Sequence, residues 1–164
     1  MLPILAHAKR NLLAASARIV PAAASLHAEL LQVKCSEDAA TGFDLSKLDK
    51  YRWSPCYEKF RVEEQPDGTV LRCSDAVPLL NFDLQGMPAE ELVAGGSAEV
   101  TITATQTARV NGVLLWFRLD MDGKGLVVGS EPCASGDSST AKSGNVGGRT
   151  WSQAIQWLVP PVDV

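Results

Sequence analysis

The chain has 164 residues, a formal charge of −4 and a pI near 5.1. A nucleic-acid-binding surface normally shows a basic stripe, and no apolar run approaches the roughly 18 residues of a membrane span, so neither partner is expected. Its 46% hydrophobic content suffices for one ordinary core. Cys35, Cys56, Cys73 and Cys133 lie far apart with no CxxC pair, and only His7 and His27 could join them. No metal site is expected from that spacing, and the cysteines read as reduced thiols of an intracellular, cytoplasmic or nuclear protein.

From Met1 to Ala28 there is no acidic residue, whereas Lys9, Arg10 and Arg18 are basic and Ala and Ser abound. That composition fits an organellar transit peptide. The competing reading is a short amphipathic helix over 2–15, because Ile4, Leu5, Ala8, Leu12 and Ala15 keep helical spacing, followed by a strand over 18–34. Residues 35–41 then read as a polar loop and 43–48 as a short turn-like element. The aromatic stretch 51–60 is interrupted by Pro55, and Trp53, Tyr57 and Phe60 in it can cover an edge of the core. Strands are expected over 61–74 and 76–84, with a tight turn at Pro66-Asp67-Gly68, where Gly supplies positive φ without a steric penalty. Residues 86–96 read as a loop with a helical turn at 89–93. The Thr-rich alternation of 99–109 suits a strand with one solvated face.

The densest apolar signal runs from Val110 to Met121 and returns at 126–128 after Asp120-Met-Asp-Gly-Lys-Gly, a hairpin pattern. Asn111-Gly112 inside it marks a second tight turn or a bulge. Residues 129–148 are rich in Gly and Ser, with too little apolar surface to offset the entropy of ordering them, and are expected to be a mobile loop. A further strand or short helix, 151–159, carries Trp151 and Trp157, whose even spacing puts both on one face of a strand. The expected fold is mainly β: an antiparallel barrel or sandwich of about eight to ten strands with one N-terminal helix.

Several segments resemble, in order, the protein arginine N-methyltransferase family. RIVPAAASL (18–26) resembles the strand that leaves the cofactor domain and enters the barrel. GFDLS (42–46) resembles the element before the dimerisation arm, and NFDL (81–84) the strand after it. The VNGVLLWF strand (110–117), the turn, GSEP (129–132) and TWSQ (150–153) resemble the last barrel strands and the Thr-His-Trp loop. Trp151 and Gln153 match that loop, while Thr150 stands where the family has His and Arg149 where it has Thr. The middle of the chain resembles the monomethylating (type III) branch most.

The resemblance implies a division into residues 1–17, the last helix of a truncated cofactor-binding domain, and residues 18–164, the β-barrel. It implies methyl transfer from S-adenosylmethionine to an arginine of a protein substrate, with Thr150, Trp151 and Gln153 on the substrate side. It also makes 51–60 a remnant of the arm that docks a second subunit in a homodimer. An indole beside the arginine pocket can pack on a flat guanidinium by cation–π contact; the alternative is that Trp151 fills the core. The chain lacks the βαβ unit with a Gly-rich turn that holds the cofactor and the loop with two glutamates that grips the guanidinium. No catalytic residue is therefore assigned, no cofactor is expected to bind the chain alone, and the cofactor-binding domain is expected upstream or on a separate chain. Organellar import by the N-terminus is the alternative address. The alternative function is a non-catalytic β-sandwich binding module.

Overall fold

A computed structural model describes residues 2–14, 16–34, 56–132 and 151–164. The expectations for the 35–41 loop, the 43–48 element, Tyr51, Trp53, most of the 129–148 loop and Thr150 fall outside them. Helix α1 spans Leu2–Asn11, and strand β1 spans Ala23–Val33. Then come β2 (Glu58–Phe60), a 3₁₀ turn (Val62–Glu64), β3 (Val70–Arg72), β4 (Val77–Asp83) and α2 (Ala89–Ala94). The chain ends with β5 (Arg109–Asp120), β6 (Val127–Gly129) and β7 (Gln153–Asp163).

The seven strands form one sheet in the order β2-β7-β5-β1-β3, with β4 also on β1 and β6 also on β5. Every pairing is antiparallel. The mainly β, antiparallel reading with an N-terminal helix therefore holds. The sheet does not close into a barrel, however, and the described residues contain seven strands rather than eight to ten.

Strand β5 is the central element. Its buried face, Val110, Gly112, Leu114 and Trp116, alternates with half-buried residues on the other face. On β1 the facing partners are Leu31 against Gly112, Glu29 against Leu114 and His27 against Trp116. Phe60 and Ile155 complete this core with Leu31, Val33, Leu114 and Trp116. On the other face of β1 and β4, Ala24 and Phe82 pack with a second cluster, Ala6, Leu84, Ala89 and Leu92, supplied largely by α1 and α2.

The turns follow the residues that favour them. Gly68 sits at φ 74 with the Thr69 N–H donating to the Pro66 carbonyl at 3.1 Å. In the β5–β6 hairpin the Asp120 carboxylate accepts from Gly123 N and the Asp122 carboxylate from Lys124 N, with Gly123 at φ 69. Asn111-Gly112 is a bulge, where the β5–β7 register shifts between Val110 and Gly112. The Asn111 amide there accepts from Val33 N and donates to Val33 O, both at 2.8 Å, doing the work of a missing strand.

Three further expectations need correction. Residues 61–74 hold a 3₁₀ turn and only the three-residue β3 rather than a strand throughout. Residues 99–108 form no strand beyond an isolated bridge between Ser74 and Ala104. They are mostly exposed and run beside β3 and the residues just after it. They cover it as an irregular strap, with Thr105 N donating to Cys73 O and the Gln106 amide to Arg72 O. The even spacing of Trp151 and Trp157 does not put both on one face either, because Trp151 precedes β7 and escapes its alternation. Trp157 packs on the core, whereas Trp151 meets Phe117, whose side chain leaves β5 opposite to Trp116.

Candidate functional site

The residues just before and at the start of β7 gather polar groups from three parts of the chain. Trp151 is 41% exposed, and its ring lies edge-on to Phe117 with centroids 5.6 Å apart. The Ser152 hydroxyl accepts from Arg61 Nε at 2.9 Å, and Arg61 in turn pairs with Glu64 at 2.7 Å. Gln153 is 2% exposed. Its Oε1 accepts from the Val62 N–H at 3.2 Å, and its Nε2 donates to the Ser130 carbonyl at 2.9 Å. The Glu63 carboxylate stands 3.5 Å from the same Nε2. Ser130 closes the arrangement from below, its N–H donating to the Phe117 carbonyl at 3.0 Å.

Of the three residues expected at the site, two are therefore close together but in different settings. Trp151 is partly exposed beside Phe117, and an exposed indole is a group able to stack on a planar cation. Gln153 lies beneath it with its amide used inside the protein. Arg61, Glu63, Phe117 and Ser130 were not expected there. Their contacts span 23 to 91 residues of sequence, and the pairing of β2 with β7, β5 with β7 and β6 with β5 brings them in.

On the β1 and β4 side of β5 a groove of about 420 Å³ opens along Ala23, Ser25, His27, Asn81, Asp83 and Arg118. His27 stacks on Trp116 at 5.8 Å and shares a hydrogen bond with the Ser25 hydroxyl at 2.9 Å. Burial and then the Arg118 guanidinium hold its pKa below the ordinary histidine value, against a smaller opposing pull from Glu131. Further along β1, a buried ion pair joins it to β3. Glu29, 1% exposed, takes both oxygens to Arg72 at 2.5 Å, and this hydrogen bonding raises the Arg72 pKa further. Among the described residues no group of three His, Cys, Asp or Glu side chains could hold a metal ion.

No family model matches the chain. Over 137 residues, 80% of its length, it is 30% identical to an arginine N(omega)-methyltransferase of Streptomyces achromogenes subsp. streptozoticus. It spans 36% of that protein. Its fold is similar, with a TM-score of 0.60 and 16% identity, to a chain of the Trypanosoma brucei PRMT1 enzyme–prozyme heterotetrameric complex with AdoHcy, covering all of this chain and 49% of that one. In sequence over four-fifths of its length, and in its antiparallel β fold, the chain is thus similar to arginine methyltransferases.

Proposed function

We propose that this chain is the β-domain part of an S-adenosylmethionine-dependent protein arginine N-methyltransferase, shaping the side of the site that receives the substrate arginine. The observation that carries the reading is the 137-residue match to an arginine methyltransferase, a match long enough to include most of the described sheet. The exposed indole of Trp151 supports it, since a flat guanidinium stacks favourably on such a face. In this reading Trp151 and Thr150 line the substrate side, and residues 1–17 are the last helix of the cofactor-binding domain. That domain is supplied by the same gene product or by a second chain, and the partners are an arginine-containing protein and a second copy. The finer assignment is the monomethylating branch, in cytoplasm or nucleus.

The described residues do not fit S-adenosylmethionine. A βαβ cofactor unit needs a parallel strand pair, whereas every pairing here is antiparallel. Helix α2 follows β4, but it has only six residues and no parallel strand follows it in the sheet. No chemical step through the cofactor is therefore derived for these residues.

Replacing the matching region of the Streptomyces enzyme with this chain tests the reading. The graft is expected to methylate an arginine peptide with monomethylarginine as product, and the chain alone to give no heat on titration with S-adenosylmethionine. A folded graft that binds S-adenosylmethionine but never methylates would favour a non-catalytic binding module instead.

A further inference from the structure

We propose that Gln153 is a positioning residue, a side-chain peptide group that locks three backbone segments together beneath Trp151, and not a group that touches the substrate. The proposal rests on the methyltransferase reading only for what Trp151 contacts; the locking is independent of it.

Strand β2 stops at Phe60 and β6 stops at Gly129; Ser130 N still donates to Phe117 O, whereas the Val62 N–H and the Ser130 carbonyl lie beyond the ladders. Val62 opens the 3₁₀ turn, whose preceding residue Arg61 gives no side-chain cap. The first N–H groups of any helical turn need a partner from elsewhere. Ser130 is fully buried, and its carbonyl needs a donor. A carboxamide presents one acceptor and two donors, the same groups a passing strand would offer. Gln153 supplies both, accepting from Val62 N and donating to Ser130 O. Asn111 does the same for Val33 elsewhere in this sheet, so the device occurs twice.

The contacts close into a ring. Gln153 holds Ser130, Ser130 holds the Phe117 backbone, the Phe117 ring holds Trp151, and Trp151 is two residues from Gln153. Arg61 fastens Ser152 between them. The direction of the Trp151 indole is thus fixed by a buried amide that has no free face for a ligand.

The test labels the four tryptophans of the full chain with 5-fluorotryptophan and assigns each fluorine signal by Trp→Phe substitution. In Gln153→Met, similar in size but unable to hydrogen-bond, the Trp151 signal should move toward the unfolded position while Trp116 and Trp157 stay in place. Gln153→Glu keeps the Val62 contact and can donate to Ser130 only when protonated. Its Trp151 signal should be native at about pH 5 and displaced at about pH 8. In the active graft, Gln153→Met should raise KM for the arginine peptide about tenfold and leave kcat within about twofold.

A Trp151 signal unmoved in both variants overturns the proposal, as does collapse of all signals in Gln153→Met, which would make the residue part of the general core. A loss of kcat with the Trp151 signal unmoved would return Gln153 to the substrate. If the signals behave as expected while the unsubstituted graft is inactive, the locking stands and the methyltransferase reading fails.

Discussion

Trp116 and Trp151 differ in what their removal would cost. Trp116 is 3% exposed, sandwiched between His27 and the aliphatic core, although its Nε1 has no hydrogen-bond partner. Deleting a core tryptophan costs about 3–5 kcal/mol, and Trp116→Ala should show that in its denaturant midpoint. Trp151→Ala gives up the contact with Phe117 and the burial of a ring that is 41% exposed, so a smaller loss of about 1–3 kcal/mol is expected. Equal losses would make Trp151 a core residue. His27 gives a pH signature of its own. Its folded pKa lies below the unfolded value of about 6.5, so the unfolded chain takes the proton more readily. The stability tied to neutral His27 is full above that pH and declines as pH falls through the unfolded value towards the lowered folded one. His27→Gln should flatten this part of the melting-temperature profile; an unchanged slope would assign it to other groups.

At the scale of elements, the sheet is held where small or amide side chains let strands approach closely. A Cβ at Gly112 would stand 2.6 Å from Ile155 Cδ1, and Ile155 is fully buried. Gly112→Ala should therefore destabilise by about 1–3 kcal/mol as the core shifts, measured by urea unfolding. Pairing it with Ile155→Val should recover part of that loss. The same strand explains what could be read in advance. The dense apolar run of β5, its Asp/Gly turn and the bulge at Asn111-Gly112 are local patterns, and all three are present. The strap over 99–108 has strand-like alternation but pairs only through one isolated bridge, and only the tertiary arrangement reveals that. Glu29 and Arg72 are similarly illegible. A lone carboxylate inside ASLHAELLQ looks like a surface position until β3 delivers a guanidinium from 43 residues away. Gln153 could be singled out by resemblance, but its role depends on where β2 and β6 end.

In the whole molecule the sheet separates two apolar clusters, and the second depends on α1. Leu2, Leu5 and Ala6 cover Leu84, Ala89 and Leu92, which belong to the segment after β4. Polar contacts tie the same pieces. Lys9 donates to the Gln85 and Met87 carbonyls at 3.1 and 2.6 Å, while Gln85 bonds to Ile19 N and Ala17 O. Arg10 and Glu90 add an exposed pair, which contributes little on its own. Whatever α1 adjoins on its other side, where Ile4 and Leu12 are exposed, its buried face belongs to this sheet. Removing residues 1–17 should therefore cost about 2–4 kcal/mol, given roughly 1.5–3 kcal/mol for each fully buried leucine and the partial exposure of Leu2 and Leu5. The truncated chain should keep its β circular dichroism, because the Leu31, Leu114 and Ile155 core is untouched, and should bind a hydrophobic dye over the uncovered Leu84 and Leu92. An unchanged urea midpoint without dye binding would mean that α1 only rests on the sheet. It would then be as separable from the β domain as the division at residue 17 supposes.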